Sequence, residues 1–382
     1  MSKPLRIAVV GLRHGGEHLD HYRQRRDVEL VGLCDQDQSL LRQAGEKYQA
    51  PPAAWFTDYG QMLRTAQPDA VFVMTPPPLH AAMTIQALEA GCHVLVAKSL
   101  CRTLEEGEAM IRARNLAGRQ VEVGLQQHYA PVYRYVQEHL RDPDFGELRG
   151  AWIQKHYPSY WREPGNWQNR VETLGGALLD CGIHEMDVIL YLLNLPWTRV
   201  FVSGRQFLKG PPERNTPDAA VVLIDLAGGA RITVDFLDSH AYCYVRTGIV
   251  GSEGKFEIEH WEPNGAGHVR FHANSSRPNP KSIYEPPLDA STGHIGIVEQ
   301  SLNFLDVCRG TAASRSTLES ALESLSLQMA IVKALRENRW VDRAEITARE
   351  TWRDNQEAGM STGAGVSVGG TQPSQPTNGI TP

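Results

Sequence analysis

The sequence has few cysteines, no long apolar run and no block of positive charge. Six cysteines among 382 residues, at positions 34, 92, 101, 181, 243 and 308, form no Cys-x-x-Cys pair. They set aside a disulfide framework and a thiolate metal site, and read as reduced thiols of a cytoplasmic protein. The best apolar runs, such as residues 188–195, fall well short of the roughly 18 residues a membrane span requires. The chain passes from Lys3 and Arg6 straight into a short apolar strand, without the apolar core and cleavage site of a secretory signal. Lys and Arg number 38 against 44 Asp and Glu, a net charge of −6, so nothing here tracks a phosphate backbone. The expectation is a soluble cytoplasmic protein with no nucleic-acid partner, no membrane partner and no metal. What is present is globular composition, 41% hydrophobic and 21% charged, in a chain long enough for two domains.

The pattern divides the chain. Over residues 1–125, short β-branched runs (6–10, 29–34, 70–74, 93–97, 120–124) alternate with helical stretches (15–26, 38–48, 80–90, 103–116), the signature of a doubly wound parallel sheet. Residues 126–345 predict an α+β domain with a large, predominantly antiparallel open sheet, from strands near 150–156, 200–206, 219–226, 230–237 and 244–250. Gly228-Gly229 and Gly251-Ser252-Glu253-Gly254 read as hairpin turns. Helices are expected at 176–193, 295–309 and 317–338. The remainder, 346–382, becomes rich in Gly, Ser, Thr, Pro and Gln and is expected to be a disordered tail.

The first strand runs into Gly11-Leu12-Arg13-His14-Gly15-Gly16 and then a helix, the context of a dinucleotide fingerprint. Gly11 permits the tight turn, the helix N-terminus offers free amides to a pyrophosphate, and Gly16 allows close helix packing. Arg13 stands where the middle glycine of that fingerprint would be. Asp35 closes the next strand, at the separation of about 20 residues expected of a carboxylate that accepts from a ribose hydroxyl. That carboxylate repels a 2′-phosphate and Gln36 offers no compensating cation, so NAD is favoured over NADP.

Together with Thr75-Pro76-Pro77-Pro78-Leu79-His80, the strand ending in Ala97-Lys98-Ser99, and Gly175-Gly176-Ala177-Leu178-Leu179-Asp180-Cys181-Gly182-Ile183-His184-Glu185-Met186-Asp187, these residues resemble the glucose-fructose oxidoreductase and inositol dehydrogenase family (Gfo/Idh/MocA). The lysine of that family usually lies in Glu-Lys-Pro, so Ala97 and Ser99 are departures. The resemblance implies a Rossmann domain whose cofactor contacts come from Gly11, Leu12, Arg13, Gly16, Asp35, Thr75, Pro76, His80 and Lys98. It also implies a dehydrogenase for a sugar, cyclitol or sugar derivative, and a homodimer or homotetramer through the second domain's open sheet.

At helical spacing Asp180, His184, Asp187 and Tyr191 share one face of an otherwise apolar helix. His184 is expected to be the general acid/base, because imidazole titrates nearest neutral pH, with Asp180 orienting it or the substrate and Lys98 stabilising a developing alkoxide. An aromatic and basic cluster before this helix, Tyr157, Tyr160, Trp161, Arg162, Trp167 and Arg170, suits sugar rings and hydroxyls, alongside Asp180 and His184. His14, His18 and His21 lie at helical spacing but lack a fourth ligand for a metal. Two alternatives stay open: an epimerase or lyase that oxidises its substrate transiently with tightly held NAD, and a non-catalytic sensor of nucleotide or sugar.

Overall fold

β-Branched residues at alternating or continuous apolar positions, punctuated by glycine and capping residues, fold into two sheets. The computed structural model describes residues 3–22, 25–158, 163–238, 243–262, 267–273, 282–284 and 296–347. The first sheet contains β1 (Leu5–Val10), β2 (Val28–Cys34), β3 (Trp55–Phe56), β4 (Ala70–Val73), β5 (His93–Val96) and β6 (Val121–Val123) in the order β3-β2-β1-β4-β5-β6. All its pairings are parallel. The order reverses between β1 and β4, which opens a crevice at their carboxyl ends.

Helices α1 (Leu12–Asp20), α2 (Gln38–Lys47), α3 (Tyr59–Ala66), α4 (Pro77–Glu89) and α5 (Leu104–Ala117) connect these strands. α1 starts directly after Gly11 and ends at Asp20, earlier at both ends than the expected 15–26. α4 starts at Pro77, because proline's fixed φ suits a first helical turn that has no amide to satisfy. β3 and α3 carry little periodic signal, β3 being only two residues long. Their cue is Asp58, whose side chain caps α3 by accepting from the Gln61 amide at 2.6 Å.

After α6 (Pro131–His139) the second sheet begins with β7 (Leu148–Tyr157), followed by α7 (Ile183–Leu193), β8 (Trp197–Arg205), β9 (Ala219–Leu226), β10 (Arg231–Asp238) and β11 (Cys243–Gly251). Then come β12 (Gly254–Glu262), β13 (His268–Ala273), β14 (Ser282–Tyr284), α8 (Ile297–Cys308), α9 (Leu318–Glu337) and β15 (Val341–Asp342). The order is β14-β13-β12-β11-β7-β10-β9-β8-β15, antiparallel except where β7 and β10 run parallel. Both glycine pairs turn hairpins, β9–β10 and β11–β12. Strict alternation, seen in β10 with Ile232, Val234 and Phe236 buried, turns one face toward the helices. The other face is open and carries Trp152, Gln154, Thr233, Asp235 and Arg246 around a shallow cavity of about 350 Å³.

Two further elements depart from the sequence expectation. The stretch 176–193 is not one uniform α-helix: Ala177–Cys181 forms a π-turn and α7 starts at Ile183. α8, grouped with the second domain by sequence, packs on the first sheet, with Phe304 and Leu305 in one cluster with Ile7, Val9 and Phe72. The Phe72 and Phe304 rings meet edge to face, centroids 5.3 Å apart. The physical reason is an apolar sheet face that the intervening helices do not fully cover. Beyond residue 347 the expected tail lies outside the described residues. No helix among the described residues is long and apolar enough to cross a membrane.

Candidate active site

The carboxyl ends of β1, β2, β4 and β5 and the inner face of β7 border a cavity of about 820 Å³. At one end Gly11 turns the chain at φ 88°, where an added Cβ would lie 2.4 Å from the Met74 carbonyl oxygen, so only glycine fits. The carboxylate of Asp35 accepts from the Leu12 amide at 2.8 Å and the Asp37 amide at 3.0 Å, tying the end of β2 to the start of α1. This closed turn, with the first amides of α1 beyond it and a carboxylate at its side, fits a dinucleotide.

Several expected cofactor residues line this end: Gly11, Arg13, Asp35, Thr75 and Pro76, with Lys98 farther along. Three others do not. Leu12 is buried in the core beneath the turn. Gly16 faces Tyr48, whose hydroxyl donates to the Gly16 carbonyl at 2.9 Å. The tight helix–strand approach falls instead on Gly15, where a Cβ would meet Val9 at 2.4 Å. His80 is fully buried, its Nδ1 2.9 Å from the Ser99 carbonyl and its Nε2 2.5 Å from that of Thr75, and desolvation lowers its pKa. It braces two loops rather than facing the cavity.

At the other end Lys98, just after β5, makes an ion pair with Asp180 of the π-turn and also donates to the Asp180 carbonyl. The second carboxylate oxygen accepts from Gln168 Nε2 at 3.0 Å. His184, in the first turn of α7, lines the same space, as do Tyr157, Trp167 and Cys181. His14 also lines it, within electrostatic reach of Lys98 and Asp180. Its pKa is lowered by partial desolvation in the cleft, against the opposing charge of Glu17.

The expected polar stripe separates. Asp187 is buried, accepting from Ser324 Oγ and lying 2.6 Å from His128 Nε2, and Tyr191 stacks on the His128 ring at 3.9 Å. Asp187 and Tyr191 continue the His184 side of α7 but lie about one and two turns farther along its axis, away from the cavity, where they anchor the helix on His128. Arg170 is exposed and outside the cavity lining. Tyr160, Trp161 and Arg162 lie outside the described residues. His18 is buried under α8, its Nδ1 2.8 Å from Ser301 Oγ, and desolvation brings its pKa down to about 3.

Sequence reasoning missed Lys155. Its side chain points inward from β7, fully buried, 2.6 Å from Glu185 and 3.0 Å from the Cys181 carbonyl. Gln127 donates to the other Glu185 oxygen at 2.7 Å. Strand alternation from Ala151 and Ile153 would have placed Lys155 on the buried face, where a lysine needs an anionic partner. Gln168, Gln126 and Gln300, also at the cavity, carry no comparable signal.

A family model described as an oxidoreductase family with an NAD-binding Rossmann fold matches residues 5–125, and one for the GFO/IDH/MocA C-terminal domain matches residues 133–257. The chain is 30% identical over 213 residues to D-glucoside 3-dehydrogenase of Escherichia coli, covering 54% of this chain and 59% of that one. It is 30% identical over 266 residues to the scyllo-inositol 2-dehydrogenase (NAD(+)) of Bacillus subtilis, covering 68% and 75%. Among solved structures, the aldose-aldose oxidoreductase of Caulobacter crescentus superposes with a TM-score of 0.74 at 21% identity, over 89% of this chain and 100% of that one. With both of its domains matched in order, the chain belongs to the Gfo/Idh/MocA family of NAD-binding oxidoreductases.

Proposed function

We propose that this oxidoreductase transfers hydride between NAD and a secondary hydroxyl or ketone of a sugar, cyclitol or sugar derivative. The observation that carries the reading is the meeting of Lys98 and Asp180 beside His184, in one cavity with the Gly11 turn and Asp35. Bound NAD would supply the hydride acceptor. The Gly11 turn, the α1 amides, Arg13, Thr75 and Pro76 would hold its phosphates and ribose. The Asp35 oxygens keep lone pairs for ribose hydroxyls after accepting their two backbone amides.

His184 takes the hydroxyl proton in oxidation and returns it in reduction. Asp180 accepts from the substrate hydroxyl, and the Lys98 ammonium, already drawn to Asp180, stabilises negative charge developing on the reacting oxygen. Lys155 holds the Cys181 carbonyl and so steadies the segment bearing Asp180. Trp167 and Tyr157 offer aromatic faces to a ring. The outer sheet face, with Val221 and Leu237 exposed, supports a homodimer or homotetramer through that surface.

The test is a screen of NADH fluorescence with the purified protein against sugars, inositols and their acid, amino and phosphorylated derivatives. On the substrate found, His184→Ala and Lys98→Ala should bind NADH as the native chain does and lose turnover at least about a hundredfold. Near-native turnover in both variants rules the mechanism out.

A further inference from the structure

Gln328 lies in the middle of α9, 2% exposed. Its side-chain amide nitrogen donates at 3.0 Å to Ser99 Oγ and at 2.9 Å to the Leu179 carbonyl. Ser99 follows Lys98 and Leu179 precedes Asp180, so one buried amide grips both chain segments that carry the ion pair. Each of its two N–H bonds has an acceptor. From the opposite side the Ser99 carbonyl is 2.9 Å from His80 Nδ1. The 98–99 segment is therefore held between α4 and α9. A proline at position 99 would present no hydroxyl to Gln328, so the serine and the glutamine act as one arrangement.

We propose that Gln328, through Ser99 and Leu179, is a positioning residue that fixes Lys98 against Asp180. The grip itself follows from the packing, and only its consequence for turnover rests on the proposed reaction. Because Lys98 lies in the loop after β5 and Asp180 in the π-turn before α7, their separation depends on what joins the segments behind them. A displacement of about 1 Å at a reacting centre costs on the order of a hundredfold in rate.

The experiment compares the native chain with Ser99→Ala, Gln328→Leu and the double variant, each checked for folding by circular dichroism. The first readout needs no substrate: the rate at which a small amine-acylating reagent modifies Lys98, followed by peptide mass spectrometry, with Lys47 as internal reference. Lys98 should react about two- to tenfold faster in either single variant, the change that loss of one such hydrogen bond produces. The double variant should react no faster than the singles, since both remove the same link. Native reactivity of Lys98 in both folded single variants, or additive effects in the double, would overturn the proposal. The second readout, on a substrate found by the screen, is kcat at least about tenfold lower with NADH affinity unchanged; unchanged kcat would also overturn it. A native chain that shields Lys98 in the manner described yet turns over no polyol would remove the proposed reaction and leave the grip standing.

Discussion

Glu122 on β6 carries its carboxyl into the joint between the two sheets, where Tyr129 donates to it at 2.8 Å and Asn303 at 3.2 Å. Burial outweighs these bonds and pushes its pKa up to about 7. The folded chain therefore keeps a proton that the unfolded chain releases near pH 4.5, and stability falls as pH rises between those values. The expected loss is about 3 kcal/mol between pH 5 and pH 8 beyond that of Glu122→Gln, read from urea midpoints. An equal loss in the variant would contradict the assignment. Elsewhere, buried pairs decide what individual residues do. The Lys155–Glu185 and His128–Asp187 contacts hold β7, α7 and the 126–129 turn in register, and breaking such a pair leaves a buried charge without compensation. Lys98, Asp180 and His184 were legible as residues because their types and spacing name a chemistry. Lys155 shows itself only when the alternation of β7 is followed onto its buried face, and Gln328 not at all, because a glutamine in a helix declares nothing until its partners are known.

Among the elements, the π-turn Ala177–Cys181 has the largest consequence for the site. Gly176 leads into it at φ 84° and ψ 154°, a region essentially closed to other residues, and a Cβ there would lie 2.5 Å from Thr216. The wider turn aims Asp180 at Lys98, while Asp187 and Tyr191, farther along α7 from His184, pack on His128. A projection at about 100° per residue shows the shared side and hides the distance along the axis, which is why the sequence reading grouped all four residues. Helix α8 teaches a related lesson. Its amphipathic pattern was visible, but the sheet it covers was not. Phe304→Ala should cost about 3–5 kcal/mol, the usual range for emptying a buried aromatic site. Thermal unfolding followed by NADH fluorescence and by circular dichroism would check it. A shift under about 1 kcal/mol would show that α8 contributes little to the first sheet.

For the molecule as a whole, helix α9 lies between the sheets: Arg114 of α5 pairs with Glu319 at 2.7 Å, while Trp197 of β8 donates to Ser326 at 3.1 Å. With α8 it returns the chain from the second sheet to the first, so the halves that hold Lys98 and Asp180 are packed around shared helices. Among the described residues, helices cover the nine-stranded sheet on one face only. Apolar exposure at Val221 and Leu237, with Trp152 beneath the Arg246 guanidinium, is what supports the proposed use of the other face by a second copy. Light scattering on the purified protein should give twice or four times the chain mass of 42.4 kDa. A monomer at concentrations used for turnover would exclude that use of the face.

The sequence by itself determined the two sheet types, the Gly11 turn, Asp35 beside it, and the lysine, aspartate and histidine that the fold brings to one cavity. Each rests on local rules: a period of two or 3.6 residues, a positive φ that only glycine accepts, or a side chain whose chemistry is intrinsic. The tertiary structure alone decided that Gly15, not Gly16, meets the strand, and that His80 braces loops. It also decided that Asp187 is an anchor, that α8 belongs against the first sheet, and that Gln328 grips both shoulders of the ion pair. Those outcomes depend on which surfaces close over a buried polar group, and hydrogen-bond partners more than 100 residues apart leave no mark on local pattern.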